Sequence, residues 1–438
     1  MDDGAQTGAG RFGESPGSAP GSDLTGRYLV VLSDDVAGDA GASADAIASL
    51  TGVSYVASTR DVEGGADLEQ LRSADATLFA RLGVAVVTPA DASGASLATL
   101  ADADPRILAV EPERILHALD ERAFSLDYVR GFRDGVSSLY DRLAADAAEP
   151  AATLTDTEEF TWGLIATRAS STGATGAGIG VAILDSGLDL VHPDYAGRPI
   201  VSMSFVEGAE VQDGSGHGTH CVGTSCGPAD PPDGSRRYGV APGAALYVGK
   251  VLNDRGNGTD SSILAGIDWA LSNDVRVISL SLGADVDQVS QAYETVGQRA
   301  LAAGTLIVAA AGNNANRSVG NPGFVGMPAN SPSIMAVAAV DAGLRIANFS
   351  SRSSTVPGGE VDIAGPGVAC YSSWPMPTRY RAISGTSMAT PHVAGVGALI
   401  SQSTGARGMD LWRALVEGAQ PLDIPAADVG AGLVQAPS

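Results

Sequence analysis

Four polar residues follow runs of apolar or small residues and could together carry out one reaction. Asp185 ends the apolar stretch VAILD, His217 lies between glycines in DGSGHGTHCVG, and Ser387 follows SGT at the start of SMATPHVAGVGALI. Asn313 ends the stretch TLIVAAAGN. A serine hydroxyl is a weak nucleophile near neutral pH and needs a base, and histidine titrates in the right range. These residue types are those of nucleophilic acyl transfer.

Each of the four residues has a distinct role in that chemistry. Ser387 would attack a carbonyl carbon while His217 takes its proton. Asp185, poorly solvated after an apolar run, would fix the histidine tautomer and stabilise the imidazolium. The side-chain amide of Asn313 and the backbone N–H of Ser387 could donate to the oxyanion that develops on the substrate. The sequence therefore contains every group that the reaction requires.

Taken singly, these residues also have ordinary structural interpretations. Serine is a favoured helix N-cap, which would account for Ser387. Aspartate is common in turns, which would account for Asp185, and a lone histidine such as His217 is more often structural than catalytic. The functional interpretation gains weight because all four residues follow a predicted strand or begin a predicted helix of the same sheet.

That sheet is predicted from alternating strands and helices after residue 160. The predicted strands span 179–187, 245–252, 275–283, 305–313 and 334–341, and the predicted helices span 217–227, 261–271, 289–304 and 387–400. Buried strands that alternate with helices are typical of a doubly wound, mostly parallel α/β sheet with helices on both faces. Ligand sites on such sheets lie at the carboxyl ends of the strands.

The preceding part of the chain divides differently. Residues 1–22 are rich in Gly, Ser, Ala and Pro and are expected to form a disordered lead-in. Residues 23–119 predict a small ferredoxin-like α+β domain in the order β-α-β-α-β. Residues 120–159 hold an amphipathic helix at 125–143 and a linker, and residues 160–438 form the candidate catalytic domain.

Within the small domain, some segments are easier to interpret than others. We predict strands at 27–32 and 77–88, the second with a bend at Gly83, and helices at 44–52 and 94–105. Residues 106–119 are interpreted as a strand pair or an extended tail. Residues 57–73 fit this order poorly and are treated as an insertion.

Composition excludes several classes of partner. Fifty acidic residues against 26 basic ones give a net charge of −24, which argues against nucleic acids and anionic membranes. No apolar run is long enough for a transmembrane helix, and the first residues lack the features of a signal peptide. The compartment stays open between cytoplasmic and secreted. Three cysteines do not make a disulfide framework.

Three of these segments resemble the signature blocks of the subtilisin-like serine proteases: VAILDSGLD, DGSGHGTHCVG and SGTSMATPHVAG. VAAAGNN resembles their oxyanion-hole block, and the likeness runs from about Trp162 to DVGAGLVQA. The resemblance implies a serine endopeptidase with Asp185, His217 and Ser387 as its triad. RYLVVL and ILAVEPERILHAL resemble the first and last strands of the family's inhibitor-type propeptides, which implies a zymogen that cuts itself between about Leu119 and Phe160.

The resemblance also implies a substrate cleft and, more weakly, a metal site. Substrate would add as a strand between two segments, beside a pocket that accepts an apolar side chain at P1, the residue before the cleaved bond. The segments are Ser281, Leu282 and Gly283 on one side and Gly256, Asn257 and Gly258 on the other, and the pocket residues are Ala310, Ala311, Gly312 and Gly326. Asp260 stands where the family often has an aromatic residue.

No cofactor is required on this interpretation, although calcium is considered as a structural ion at Asp194. This residue matches a family calcium ligand, but the loop at 227–242 that would supply other ligands is longer and proline-rich. Cys221 is expected to pack beneath His217, with a reactive thiol as the alternative. Zinc at His220 is disfavoured for want of matching ligands.

The leading hypothesis is a broad-specificity serine endopeptidase made as a self-processing zymogen. Its partners would be protein or peptide substrates and its own propeptide, with no nucleic acid and no membrane, and we expect a monomer. One alternative is a dedicated maturation protease for a single partner peptide. The other is a catalytically silent scaffold, or a protein held permanently by its own N-terminal domain.

Overall fold

The computed structural model describes residues 23–53, 55–61, 74–88, 94–119 and 153–438. The predicted lead-in at 1–22 and the predicted helix at 125–143 lie outside these ranges.

The N-terminal domain is a mixed sheet covered by helices. Its strands are β1 Leu24–Leu32, β2 Ala57–Ser58, β3 Ala76–Phe79, β4 Val84–Val87 and β5 Ile107–Ala118, and its helices are α1 Asp34–Ala37, α2 Ala40–Thr51 and α3 Gly94–Ala101. The strands lie in the order β5-β1-β4-β3-β2. Only β2 and β3 pair in parallel. Apart from the two-residue β2, the strands and the helical segments between them follow one another as β-α-β-β-α-β, which confirms the ferredoxin-like prediction.

One predicted element of this domain is wrong in detail. Residues 77–88 were expected to form a single strand with a bend, but they form the antiparallel hairpin β3–β4. Gly83 has a φ of +57° in the connecting turn, a left-handed conformation that glycine adopts without strain. Apolar residues on both sides of the turn hid the reversal, because both strands are fully buried. Residues 107–118 form one long strand.

The C-terminal domain is built on a seven-stranded parallel sheet, as predicted. Its strands lie in the order β14-β13-β12-β10-β6-β8-β7 and every pair in it is parallel. These strands are β6 Gly180–Asp185, β7 Ile200–Ser204, β8 Ala245–Lys250, β10 Val277–Leu280, β12 Leu306–Ala310, β13 Met335–Val340 and β14 Ile363–Pro366. Two short strands outside the sheet, β9 Asn257–Thr259 and β11 Leu282–Gly283, pair with β5 of the N-terminal domain. A separate hairpin joins β15 Cys370–Ser373 to β16 Tyr380–Ile383.

Helices pack against this sheet and deliver the polar residues to its carboxyl edge. They are α4 Trp162–Ala166, α5 His217–Cys226, α6 Asp260–Ser272, α7 Gln291–Ala303, α8 Thr386–Thr404, α9 Gly408–Gly418 and α10 Ala426–Val429. Thr259 and Ser262 form a capping box that begins α6, and Ser290 caps α7. Gly304 ends α7 in a left-handed conformation. Within the described ranges, no helix combines the length and apolarity needed to cross a bilayer.

Candidate active site

The three residues predicted to form a triad meet at the carboxyl edge of the parallel sheet. Asp185 is the last residue of β6, His217 begins α5, and Ser387 is the second residue of α8. The Nδ1 atom of His217 lies 2.8 Å from Oδ1 of Asp185. All three side chains are at most 2% exposed. The other ring nitrogen of His217 has no hydrogen-bond partner among the described residues, so it is free to exchange a proton.

Glycines on both sides of His217 permit this close packing. Gly216 has a φ of +96°, and a Cβ built there would lie 2.4 Å from the ring of Trp374. A Cβ on Gly218 would lie 2.3 Å from the carbonyl oxygen of Gly187. Both contacts are shorter than real side chains make, so larger residues at these positions would displace the start of α5 and with it the imidazole.

Asp213 holds the N-terminus of α5 in place and was not singled out from the sequence. Its Oδ1 accepts from the amides of Ser215 and Gly216 and from the Ser186 hydroxyl, and its Oδ2 accepts from the amide and hydroxyl of Thr219. Acidic side chains are favourable at a helix N-terminus. This carboxylate therefore positions the turn that carries His217, four residues further on.

The electrostatics of the triad stabilise the imidazolium that forms once His217 has taken the serine proton. Burial opposes the charged ring, but the Asp185 carboxylate holds the pKa of His217 well above its ordinary value. Burial raises the pKa of Cys221, whose Sγ lies 3.9 Å from Nδ1 of His217, to about 11. Cys221 is therefore a neutral thiol beside the triad. An imidazolium is the form that gives a proton to a leaving amine.

A proline in α8 frees one carbonyl group for use at the site. Pro391 has no N–H, so the carbonyl of Ser387 receives no helical hydrogen bond from it. That carbonyl instead accepts from the Ser281 hydroxyl at 2.8 Å and lies 3.7 Å from Sγ of Cys221. The serine backbone is thus fixed from outside its own helix by the segment that borders the substrate cleft.

The carbonyl oxygen of Leu119 lies between Ser387 and Asn313. Oγ of Ser387 is 2.5 Å from it, and Nδ2 of Asn313 donates to it at 2.7 Å. The amide of Asn313 is held by Thr386, whose N–H and hydroxyl both donate to its Oδ1. This pair of bonds directs the N–H₂ group toward Leu119. The second oxyanion donor, the Ser387 N–H, stays a prediction.

Leu119 ends a strand that fills the cleft predicted to bind substrate. β5 pairs antiparallel with β9 and with β11. On one side, Asn257 and Gly258 lie opposite His117 and Leu116, and the carbonyl of Gly256 accepts from the Ala118 amide. On the other side, Leu282 and Gly283 lie opposite Ala118 and His117, and the carbonyl of Ser281 accepts from the Leu119 amide. The two predicted flanking segments thus enclose an extended chain.

The four predicted pocket residues lie near the end of β12 and in the loop opposite it. Ala310 ends β12, and the amide of Gly326 donates to the carbonyl of Ala311, which links the two. Gly312 follows with a φ of +120°. Gly283 approaches Leu119 so closely that a Cβ on it would lie 3.0 Å from Cδ1 of the leucine. The absence of a side chain at Gly283 therefore leaves room for the Leu119 side chain.

The surroundings of Asp194 do not fit a calcium ion. Its buried carboxylate accepts from the Tyr238 and Tyr380 hydroxyls, and Nη2 of Arg379 lies 3.6 Å from Oδ1. Arg379 also reaches Asp233, in the loop predicted to supply further ligands, at 3.3 Å. Calcium requires several oxygen ligands, whereas the groups converging here are hydrogen-bond donors and a cation. We therefore expect protein groups, rather than calcium, to neutralise this carboxylate.

Replacing Tyr238 with phenylalanine tests that expectation. The substitution removes a buried donor from Asp194 and should lower the free energy of unfolding by about 1–3 kcal/mol. Urea unfolding should be measured in a Ser387→Ala background, so that self-digestion does not interfere. Tyr247→Phe is the control, because the ring of Tyr247 packs against Trp269 and its hydroxyl is not a donor to Asp194. An unchanged free energy of unfolding in Tyr238→Phe, together with a loss of stability of the parent in EDTA, would contradict this account.

The remaining chemistry-bearing residues have structural partners. Nε2 of His220 lies 2.8 Å from the carbonyl oxygen of Cys370, and burial lowers the pKa of this histidine to about 3. Cys221, Cys226 and Cys370 are all buried and free. The ligand atoms of Asp185, His217 and Cys221 lie within 4.8 Å of one another, a spacing that would also suit a metal. The neutral thiol and the direct bond between Asp185 and His217 favour a triad instead.

The amide of Asn313 should contribute strongly to catalysis. We expect Asn313→Ala to lower kcat about 10²–10³-fold with little change in KM, because the amide binds the oxygen that becomes negative in the transition state. Asn314→Ala is the matched control, since the Asn314 amide donates to Asp285 and to the carbonyl of Phe324. Rates per active site from peptide anilides provide the measurement. Equal losses in both variants would contradict the role.

The fold is that of a hydrolase with its site at the carboxyl edge of a parallel sheet, and the site brings together a candidate Ser-His-Asp triad. A model of the subtilase family matches residues 176–421, more than half of the 438 residues. The chain therefore belongs to the subtilase family and is a subtilisin-family serine endopeptidase.

Individual relatives support this assignment. Subtilisin from Bacillus pumilus is 45% identical over 230 residues, which are 52% of this chain and 79% of that protein. Subtilisin E from Bacillus subtilis (strain 168) is also 45% identical over 230 residues, 52% of this chain and 57% of its own length. M-protease from Shouchella clausii is 41% identical over 258 residues, 58% of this chain and 63% of its own length. For the last two, the chain spans less than two thirds of the relative.

Proposed function

We propose that this endopeptidase is made as a zymogen whose N-terminal domain is first its substrate and then its inhibitor. The observation that carries the proposal is the seating of Leu119, whose carbonyl oxygen contacts both Ser387 and Asn313. A bond presented in this way, at the end of an extended strand, is in position for attack. The proposed cleavage site is the bond between Leu119 and Asp120.

The reaction follows from the groups that surround this bond. Oγ of Ser387 attacks the carbonyl carbon of Leu119 and passes its proton to His217. The C–N bond to Asp120 breaks, and the imidazolium gives the proton to the leaving amine. The resulting ester between Ser387 and Leu119 is hydrolysed by water, which leaves a carboxylate on Leu119 and restores the hydroxyl. Asn313 stabilises the oxyanion in both steps.

Contacts away from the cleft support the inhibitory role after this cut. Glu111 accepts from the Gln291 amide at the start of α7, and Glu113 accepts from the Ser261 amide at the start of α6. Carboxylates at helix N-termini are stabilising. Two ion pairs, Arg299 with Asp34 and Arg81 with Asp268, also join the domains. None of these contacts involves the bond that breaks, so the domain is expected to stay bound.

The same geometry supports a preference for apolar residues before the cleaved bond. The Leu119 side chain lies against Gly283, and the adjoining strands bind main-chain groups that every peptide has. We expect Leu-His-Ala-Leu p-nitroanilide, which copies residues 116–119, to be hydrolysed, and the version ending in Glu to be a much poorer substrate. Absence of hydrolysis would contradict the proposed activity and favour a silent scaffold. Activity confined to this one sequence would favour a dedicated maturation protease.

The stability of the folded zymogen should depend on pH through Asp260. Burial raises the pKa of this carboxyl to about 7, although the Arg114 amide and the Tyr293 hydroxyl donate to it; Glu111 and Glu113 add to the increase. The protonated form is therefore favoured in the folded zymogen. Its stabilising contribution is complete below the ordinary pKa of aspartate and is lost as pH rises through about 7.

Urea unfolding of Ser387→Ala between pH 4 and 8 measures this contribution. Relative to the same protein carrying Asp260→Asn, the parent should lose stability as the pH rises. Asp287→Asn, at an exposed position, controls for the loss of one carboxylate. A difference between parent and Asp260→Asn that stays constant across the range, or that grows in favour of the parent, would contradict the prediction.

A further inference from the structure

The side chain of Asp260 contacts the bound strand, in addition to the main-chain bonds that the two flanking segments form with it. Its Oδ2 accepts a hydrogen bond from the backbone N–H of Arg114 at 2.7 Å, and its Oδ1 accepts from the Tyr293 hydroxyl at 2.8 Å. Arg114 is the sixth residue before the proposed cleavage site, counting Leu119 as the first. The carboxylate is 1% exposed, so both of these bonds are formed away from solvent.

The register of the strands explains why a side chain takes this role. Ile115, Leu116 and His117 lie opposite Thr259, Gly258 and Asn257. In an antiparallel pair, alternate amides point to the same neighbour, so the amide of Arg114 faces the same side as that of Ala118, which donates to Gly256. Its partner in this register would be residue 260.

Residue 260 cannot offer its backbone carbonyl to the strand, because α6 begins there. Asp260 is the first residue of that helix, and β9 ends at Thr259. The carbonyl of a first-turn residue is committed to the helix. The Asp260 side chain stands in its place: Oδ2 accepts from the Arg114 amide, and the Tyr293 hydroxyl fixes Oδ1.

We propose that Asp260 is a substrate-binding residue that extends main-chain recognition to the sixth residue before the cleaved bond. The inference rests on the proposed function, since it treats the N-terminal strand as a substrate. The group recognised is an amide N–H, which every residue except proline carries. The enzyme should therefore favour peptides that reach at least six residues upstream and should disfavour proline at the sixth.

The strand itself provides a matched control. The amide of Ile115, the next residue, donates to the carbonyl of Asp23 within the N-terminal domain and not to the catalytic domain. Removing this N–H from a separate peptide therefore removes no hydrogen bond between the peptide and the enzyme. Replacing an amide by an ester removes the donor and adds no bulk, so two peptides that differ only in the position of one ester isolate the contact.

The test uses the mature enzyme and the peptide Pro-Glu-Arg-Ile-Leu-His-Ala-Leu p-nitroanilide. An ester at the Arg position should lower kcat/KM about 10–100-fold, through KM, because a buried acceptor is left without its donor in ground and transition states alike. The ester at the Ile position should change it less than about twofold. The Asp260→Ala enzyme should hydrolyse all three peptides with similar kcat/KM. The Asp260→Asn enzyme, which keeps an acceptor oxygen, should retain part of the preference for the all-amide peptide over the Arg ester.

The outcomes separate this inference from the proposed function. Equal hydrolysis of the Arg ester and the all-amide peptide by the parent enzyme would overturn the role of Asp260 and leave the peptidase activity intact. No hydrolysis of any peptide would overturn the proposed function instead. A preference that survives in Asp260→Ala would also overturn the inference. Thermal unfolding of each variant shows whether it is folded.

Discussion

Replacing Ser387 with alanine is expected to abolish both peptide hydrolysis and self-cleavage. The substitution removes the hydroxyl oxygen that lies against the Leu119 carbonyl, and loss of a triad serine lowers kcat by about 10⁶-fold. The side chain is fully buried and small, and its backbone carbonyl remains held by Ser281. The variant should therefore fold, with its N-terminal domain still attached.

The measurement combines electrophoresis of the purified chain with rates on a peptide anilide. Ser403→Ala is the matched control, because Ser403 lies on the same helix at an exposed position and donates to the carbonyl of Leu399. That variant should process and hydrolyse like the parent. If Ser387→Ala were cut at the same bond at the parental rate, the serine would not be the nucleophile.

Replacing Asp185 with asparagine should be nearly as severe, at about 10⁴-fold in kcat. Asparagine fits the space, but its N–H₂ group can face Nδ1 of His217 and stabilise the wrong tautomer. The loss of a carboxylate 2.8 Å from the ring also removes the interaction that raises the histidine pKa. We therefore expect the acidic limb of the residual kcat/KM profile to move to lower pH.

Asp189→Asn separates this effect from the loss of a buried carboxylate near the site. Asp189 is 1% exposed and accepts from the amides of Val191 and Met376, but it does not contact His217. Per active site, this variant should keep kcat within about tenfold of the parent and keep the parental pH profile. An Asp185→Asn enzyme with parental kcat would contradict the assigned role.

The types of the catalytic residues and their order along the chain could be predicted because polar residues that end apolar strands are conspicuous in the sequence. The main sheet was predicted for the same reason, since strands such as β10, β12 and β13 consist of buried apolar and small residues. Strands β7 and β14 were missed. The first is only partly buried, and the second contains glycine and proline, so neither shows a clear apolar run.

Contacts between distant parts of the chain were beyond prediction from residue types. The segment PERILHAL alone does not indicate that the Leu119 carbonyl contacts Ser387 or that the Arg114 amide donates to Asp260. Both contacts depend on the register between β5 and β9. The donors around Asp194 were hidden likewise, because Tyr238 approaches from a loop and Tyr380 from β16, both distant in sequence. Pro391 did carry a local signal, because a proline in a helix leaves a carbonyl without its usual partner.

The central claim is that the seated bond after Leu119 is the one that the enzyme cuts first. The most direct measurement is the intact mass of the N-terminal fragment released soon after the wild-type chain folds, with Ser387→Ala alongside. We predict a fragment whose last residue is Leu119 from the wild type and no fragment from the variant. A fragment that ends elsewhere between residues 120 and 159, or the same fragment from Ser387→Ala, would contradict the account.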